Sequence, residues 1–248
     1  MTDKSELLHL SKSGGSLRTP SRAQSSLIKR GRNKAAKLGM DKGKDGLSRQ
    51  ISSQKAGEGE LEDGDLELAR GVLYYHGKGV SQDFDRAAMW FRKAADKGIA
   101  AAQYYLGLQY YDGLGVRQSY VRAAAWYQMA AKQGYAPAPN NFGLLYELGD
   151  GVPRDLSLAA KWFRKAAEQG LASAQAWVGE SYYYGLGVSR NYVEAYFWFY
   201  LATMDGAQTN LEKYSVGRDA ASSKLTQAQR LDVQERARLW TTIHSPQG

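Results

Sequence analysis

Three histidines are the side chains of this 248-residue sequence best suited to acid–base or metal chemistry at neutral pH. His9 stands near the N-terminus, His76 in the first part of a repeated region and His244 near the C-terminus. The absence of cysteine excludes disulfides, thiol nucleophiles and thiolate metal ligands. No His-x-x-His or His-Glu-x-x-His pair and no aspartate-rich loop provides a metal site. The sequence therefore predicts no catalytic residue, no cofactor, no metal and no enzymatic activity.

Four Gly-x-Gly pairs are the other feature with chemical potential, because glycine-rich loops can bind phosphate. No strand pattern precedes these pairs, and neither a third glycine nor Gly-Lys-Ser/Thr follows. We therefore expect each pair to end a helix and turn the chain. The pairs recur every 36 residues, as Gly77-x-Gly79, Gly113-x-Gly115, Gly149-x-Gly151 and Gly185-x-Gly187.

Other positions share this period, which indicates stacked helical units. In the second unit Ala123, Trp126, Tyr127 and Ala130 follow the i, i+3, i+4, i+7 spacing of one helix face. A shorter helix precedes it and carries a glycine beside its apolar stripe. A glycine inside a helix costs about 1 kcal/mol relative to alanine, so its recurrence favours close packing against a partner helix. The glycine column is Gly71, Gly107, Gly143 and Gly179.

A tryptophan column, Trp90, Trp126, Trp162 and Trp198, is predicted to be structural core because all four members are identical. The predicted cost of Trp126→Ala is about 3–5 kcal/mol, the usual loss for a large core side chain.

The unit Leu106-Gly107-x-x-Tyr110-x-x-Gly113-x-Gly115-Val116, with Ala123, Trp126-Tyr127, Ala130-Ala131 and Gly134 after it, resembles the Sel-one-like repeat family. That family is an α/α-repeat relative of the tetratricopeptide repeats. The resemblance covers residues 65–206 and implies an all-α, right-handed α/α superhelical solenoid. It also implies an adaptor or scaffold role in protein complexes.

The predicted organisation has three parts. Residues 61–206 form four 36-residue helix-turn-helix repeats, 65–98, 99–134, 135–170 and 171–206. Residues 207–248 form a C-terminal capping pair of helices, the second opened by the capping-box pattern at Thr226. Residues 1–60 are expected to be a disordered basic tail rich in Ser, Gly and Lys, because no aromatic residue precedes Tyr74.

Charge is concentrated in that tail. Residues 1–60 carry 13 Lys and Arg against 6 Asp and Glu, whereas residues 61–248 carry 20 against 19. Within 29–44 a dense block could contact a polyanion, either nucleic acid or an anionic membrane, through Lys29, Arg30, Arg32, Lys34 and Lys37. No apolar run suits a signal peptide or a transmembrane segment, so we expect a cytoplasmic protein. Export as an effector through a signal that is not apolar stays open.

The first helices of the repeats are expected to line a concave groove for a partner. The resemblance to the tetratricopeptide repeats, aligned through Gly107, implies the contact residues Tyr104, Tyr111, Asn140, Glu147, Glu180 and Tyr183. Variation of the Tyr104 and Asn140 column between repeats favours binding, whereas the Tyr111 and Tyr183 column is equally consistent with packing between repeats. Accordingly, Tyr104→Ala is expected to weaken partner capture with little change in melting temperature.

Two functions follow. The first is a non-enzymatic protein-interaction adaptor or scaffold that binds a peptide or protein partner in the groove. The alternative is a polyanion-associated factor in which residues 29–44 supply the affinity. Binding through the tail would fall steeply with ionic strength, and binding through the groove would survive removal of residues 1–60.

Overall fold

The computed structural model describes residues 63–204 and 211–244, so the predicted tail and its basic block lie outside the described residues. Within those two ranges the chain forms ten helices and no strand. They are α1 (Asp63–His76), α2 (Phe84–Asp96), α3 (Ala100–Asp112), α4 (Tyr120–Lys132), α5 (Pro137–Leu148), α6 (Leu156–Glu168), α7 (Ala172–Tyr184), α8 (Tyr192–Met204), α9 (Leu211–Ser222) and α10 (Gln227–His244). None of these helices is long and apolar enough to cross a membrane.

The helices from α1 to α8 pack in chain order. Each repeat is one pair, α1 with α2, α3 with α4, α5 with α6 and α7 with α8, and the second helix of each pair packs against the first helix of the next. This arrangement is the stack of helix pairs that the 36-residue period predicts. The predicted all-α solenoid is confirmed.

Local capping fixes the boundaries of both helices in a repeat. The second helices begin after residues whose side chains accept hydrogen bonds from backbone N–H groups of the first turn, namely Asp83, Ser119, Asp155 and Asn191. The first helices α3, α5 and α7 end at left-handed glycines, Gly113, Gly149 and Gly185, with φ of 73°, 75° and 73°.

The aromatic residue that follows each tryptophan is a buried ring in all four repeats. Phe91, Tyr127, Phe163 and Phe199 are 0, 1, 2 and 4% exposed. Each ring lies on the glycine column of its own repeat. A Cβ atom added to Gly107, for example, would stand only 2.5 Å from the ring of Tyr127. Glycine at this position therefore allows the two helices of a repeat to approach closely.

The same rings join successive repeats. Phe91 stacks on Tyr105 of the next repeat with ring centroids 4.7 Å apart, and Phe163 stacks on Trp177 at 5.1 Å. Phe91 and Phe163 therefore each contact a glycine inside their own repeat and an aromatic ring in the following one.

The side chains of the tryptophan column are less buried than the identity of all four members predicted. Trp90, Trp126 and Trp162 are partly exposed. Cations cover these rings: the guanidinium of Arg92 lies 5.1 Å from the centroid of Trp126, and Lys165 lies 4.4 Å from that of Trp162. Only Trp198, against which Trp240 of α10 packs, is fully buried. Of the four tryptophans predicted to be core residues, only Trp198 is therefore buried in the core.

The second glycine of each Gly-x-Gly pair has a role that the sequence did not reveal. A Cβ on Gly115 would overlap the backbone carbonyl of Phe84 at the start of α2, in the preceding repeat. Gly151 and Gly187 meet Tyr120 and Leu156 in the same way. Gly79 in the first repeat, by contrast, has no atom within 4 Å of such a Cβ. This column therefore sets the distance between repeats.

The two C-terminal helices both pack on α8. On α9, Gly217 lies against the ring of Phe199, which also contacts Gly179 of α7. On α10, Arg236 forms a bidentate ion pair with Glu194 and lies 3.8 Å from the ring centroid of Phe197. The positions equivalent to Phe197 in the other repeats are the exposed residues Met89, Ala125 and Lys161. Covering by α10 thus explains why α8 has an apolar outer face.

Truncation of neighbouring residues tests which column is the core. We expect Tyr127→Ala to lower the free energy of unfolding by about 3–5 kcal/mol, because a fully buried ring is lost. Trp126→Ala should cost clearly less, since its ring is partly exposed. Urea unfolding of both variants measures the difference, and a larger loss for Trp126→Ala would contradict this assignment.

Candidate functional site

The first helices of the second, third and fourth repeats share one stripe at positions i, i+4 and i+7, which we call the groove stripe. It consists of Tyr104, Leu108 and Tyr111 on α3, Asn140, Leu144 and Glu147 on α5, and Ala176, Glu180 and Tyr183 on α7. The N-terminal member of each set is buried, and the C-terminal member is partly exposed. Only the C-terminal half of the stripe therefore has side chains accessible to solvent.

Tyr104 is part of the packing between repeats. It is 3% exposed, and its ring lies 5.8 Å from that of Tyr127 and 5.3 Å from that of Tyr135. Its hydroxyl accepts a hydrogen bond from Asn141 Nδ2 at 3.4 Å. The expectation that Tyr104 is a contact residue whose removal leaves stability unchanged is therefore wrong, because Tyr104→Ala would open a cavity between two repeats.

Asn140 is also buried, at 6% exposure. Its Nδ2 donates to Asn141 Oδ1 at 3.3 Å, while its own Oδ1 has no hydrogen-bond partner among the described residues. A buried oxygen without a donor costs about 1–3 kcal/mol. Asn140 thus differs from the predicted exposed contact, and it leaves an unused acceptor on the groove stripe.

Aromatic rings gather at the C-terminal end of the stripe. Tyr183 packs edge-on against Tyr184 and Tyr192, with centroids 4.9 and 5.3 Å away, and Tyr111 lies 5.1 Å from Tyr120. Tyr184 is 55% exposed and was not among the predicted contacts. Its position directly after Tyr183, in the last turn of α7, could have indicated from the sequence that its ring lies beside the predicted contacts.

Side chains from the following turns hold these helix ends in place. Gln82, Gln118 and Arg154 donate to the backbone carbonyls of Tyr75, Tyr111 and Glu147 at 2.8, 2.8 and 2.9 Å. These carbonyls belong to last helical turns, whose oxygens lack a partner within the helix. Sequence reasoning missed this column, although its members recur every 36 residues.

Glu180 is a partly desolvated carboxylate. Burial raises its pKa above the ordinary range, and the charge of Lys213 opposes that shift. Lys213 Nζ lies 3.9 Å from Glu180 Oε1, at the long limit of an ion pair. The Glu180 charge in turn contributes to the raised pKa of Tyr184, after burial. The charge of Glu180 therefore acts on the exposed side chain of Tyr184.

Charge is divided between the two sets of helices. The first helices α3, α5 and α7 contain no Lys or Arg and one carboxylate each, from Asp112, Glu147 and Glu180. The second helices α2, α4 and α6 contain eight Lys and Arg residues against three Asp and Glu. Residues 61–248 are thus nearly neutral although the first helices α3, α5 and α7 are acidic and the second helices α2, α4 and α6 are basic.

The histidines within the described ranges have structural surroundings. The ring of His76 packs edge-on against Tyr75 at 5.0 Å, and His244 stacks on Trp240 at 4.1 Å. His9 lies outside the described residues. Over the described ranges, no group of three or more His, Asp and Glu side chains is arranged to hold a metal ion.

The repeat pattern itself decides the family. The Sel1 repeat profile matches residues 65–99, 100–135, 140–171 and 172–206, together more than half of the chain. The chain belongs to the Sel1 repeat family. The resemblance inferred from the glycine, alanine and tryptophan columns is therefore confirmed.

Two solved structures are similar to this Sel1 repeat chain. One is c5321, a protective antigen of uropathogenic Escherichia coli with an SLR fold, at 34% identity and a TM-score of 0.66. That match covers 81% of this chain but only 41% of the antigen, so the chain spans about two fifths of its length. The other is a Sel1 repeat protein from Oxalobacter formigenes, at 27% identity and a TM-score of 0.60, with 85% of this chain and 84% of that chain covered.

A search of curated proteins found no significant match. Sel1 repeat proteins generally mediate protein–protein interactions, and this is the level of function that membership of the family provides.

The buried tyrosines predict how the protein responds to alkali. Burial, and secondarily the charge of Asp112, raises the pKa of Tyr75 to about 12, and burial also raises the pKa of Tyr104, Tyr105 and Tyr127. Since these folded values exceed the unfolded value of about 10, their contribution to stability is intact below pH ~10 and is lost as the pH rises through ~12.

Tyrosinate absorbance and circular dichroism, followed together over that range, measure this loss. We expect part of the absorbance change to coincide with the loss of helix. Complete ionisation of all tyrosines near pH ~10 with the helices intact would contradict the burial of these four rings.

Proposed function

We propose that this protein is a non-enzymatic adaptor or scaffold that binds a peptide segment of a protein partner along the groove stripe. The observation that carries the proposal is the row of partly exposed tyrosines and carboxylates at the C-terminal ends of α3, α5 and α7. Successive repeats present equivalent positions side by side, and an extended segment can contact one after another.

The chemistry of the row suits protein recognition. Tyr183 and Tyr184 supply contact area with few rotatable bonds, and therefore lose little side-chain entropy on binding. Tyrosine is also among the residues that dominate binding energy at protein interfaces. Glu147 and Glu180 add charged acceptors that can fix the register of a bound segment.

Rigidity of the backbone supports the same function. The helix ends that carry the row are fixed by left-handed glycines and by the side chains of Gln118 and Arg154. A surface held in place before binding avoids the entropic cost of ordering it. The basic segment 29–44 lies outside the described residues, and its contact with polyanions stays a prediction.

Paired surface variants test the proposal. We expect the double variant Tyr183→Ala/Tyr184→Ala of the full chain to lose partners that the unaltered chain captures from extracts of its source cells. The matched control, Val121→Ala/Met129→Ala, removes exposed apolar side chains from α4, and should retain the same partners.

Quantitative mass spectrometry of the captured proteins measures the comparison, and thermal melts establish that both variants fold. Equal retention by the two variants, or loss with the α4 control alone, would count against the groove stripe as the binding surface.

A further inference from the structure

A pocket of about 350 Å³ lies between α6, the second helix of the third repeat, and α7, the first helix of the fourth. Ala160, Val178 and Val188 form its apolar wall. Because successive residues of a helix advance by about 100°, Val178 and Ser181 lie on the side of α7 opposite the groove stripe. The pocket is therefore separate from the surface that carries the proposed function.

The pocket is open because a small side chain replaces large ones at this interface between repeats. Between the first and second repeats the position of Ser181 is taken by Gln109, which is 0% exposed and donates from Nε2 to the backbone carbonyl of Phe84 at 2.9 Å. Between the second and third repeats the same position is Leu145, also 0% exposed. Ser181 fills less of the equivalent space, and the pocket remains.

Hydrogen-bond donors line the same pocket. Lys161 and Arg164 supply positive charge from α6, and hydroxyl groups are supplied by Ser157, Ser181 and Tyr182. Of the four second helices, only α6 has two cations at the three positions equivalent to Ser157, Lys161 and Arg164. The cations are thus concentrated at the interface where the packing leaves space for a ligand.

Lys161 provides a positive charge that the fold does not neutralise. The carboxylates around it are engaged elsewhere: Glu168 pairs with Arg164 at 2.9 Å, Glu194 forms a bidentate ion pair with α10, and Asp155 accepts from the first backbone amides of α6. Among the described residues Lys161 has no ion-pair partner. An anion in the pocket is therefore attracted by a charge that no carboxylate of the described chain offsets.

Two further donors are held in place before any ligand binds. Arg164 donates from Nε to Glu168 and from Nη1 to the Tyr182 hydroxyl at 3.3 Å, which leaves the N–H groups of Nη2 for a ligand. Ser181 is 5% exposed and lines the pocket, and its hydroxyl makes no hydrogen bond with another described residue. Donors fixed in this way lose little entropy on binding.

The donor set suits a phosphate group better than a carboxylate. An ionised carboxylate offers two acceptor oxygens, whereas a phosphate group offers three and carries a charge between −1.5 and −2. The ammonium of Lys161, Nη2 of Arg164 and the hydroxyls of Ser157 and Ser181 can share three oxygens. The apolar wall is then available to the organic group to which the phosphate is attached.

We propose that this pocket binds the phosphate group of a phosphomonoester, held by Lys161, Arg164 and Ser181. The hydroxyl of Ser157 adds a donor at the start of α6, and the organic part of the ligand packs on the apolar wall. This site gives the repeats a second binding activity that does not depend on the groove stripe.

Titration of the full chain with a short phosphoserine peptide, followed by backbone amide shifts in NMR spectra, tests the site. The unphosphorylated peptide is the reference, and sodium chloride keeps the ionic strength constant. We expect the amides of Ser181 and Gly187, which line the pocket, to shift with the phosphopeptide and not with the reference. These signals separate binding in the pocket from contact with the basic block 29–44.

Phosphoserine blocked at both ends distinguishes the source of the phosphate. Tighter binding of the peptide than of blocked phosphoserine indicates a phosphorylated protein, and equal affinity indicates a small phosphorylated molecule. Both results support a phosphate site. Equal shifts of Ser181 and Gly187 with the phosphorylated and unphosphorylated peptides would overturn the inference.

Two variants of the pocket and one control assign the binding to these residues. Ser181→Leu introduces the leucine that the third repeat has at this position, fills the pocket and should weaken binding at least about tenfold, as should Lys161→Gln through the loss of a charge-assisted hydrogen bond. The matched control is Lys165→Gln, which removes a cation of the same helix that lies over Trp162 and does not line the pocket. It should leave the affinity for the phosphopeptide unchanged.

Thermal melts establish that the variants fold. Lys161 is exposed, so Lys161→Gln should melt like the unaltered chain and provides a reading that does not depend on the packing of Ser181→Leu. Undiminished binding by Lys161→Gln would overturn the inference. Equal weakening by Lys161→Gln and Lys165→Gln would overturn it too, since that result would show attraction to overall charge.

Discussion

The contact between a glycine on the first helix and an aromatic ring on the second determines the geometry of every repeat. Gly107 lies so close to Tyr127 that a Cβ atom would stand 2.5 Å from the ring, and the same column recurs in all four repeats. The ring that touches this glycine also contacts the next repeat, as the stacking of Phe91 on Tyr105 shows. One contact therefore fixes the two helices of a repeat relative to each other, and its ring also orients the next repeat. Gly115, just after the C-terminal end of α3, sets the distance to the preceding repeat.

Close packing of the first helices determines what their remaining surface can do. With one side of α3, α5 and α7 against rings, the C-terminal half of the groove stripe is the part left accessible. That part retains a carboxylate, Glu180, whose pKa is raised by burial, and the buried N-terminal part of the stripe retains the Asn140 oxygen, which has no donor among the described residues. Such costs are typical of binding surfaces, where stability is sacrificed for recognition.

Much of the fold could be predicted because its signals are local. The capping residues Asp83, Ser119 and Asp155 and the glycine after each first helix act within one turn, so the sequence period was sufficient to place the helices.

The burial of individual side chains was harder to predict. Trp126 and Tyr127 are adjacent on the same helix, and only the position of Arg92 and of the neighbouring helices decides that the ring of Tyr127 is the buried one. The burial of Tyr104 could not be predicted, because Tyr135 and Asn141, which cover it, belong to the following repeat and cannot be inferred from its own column.

A double-mutant cycle between Gly107 and Tyr127 tests the central claim most directly, through the free energy of unfolding in urea. In the unaltered chain Gly107→Ala should destabilise by about 1–3 kcal/mol, because the added methyl group overpacks the ring. In a Tyr127→Val background that clash is absent, and alanine's higher helix propensity, worth about 1 kcal/mol, should make the same substitution neutral or stabilising. A reversal or near-complete loss of the Gly107→Ala effect is the predicted result. Equal destabilisation by Gly107→Ala in both backgrounds would contradict the account.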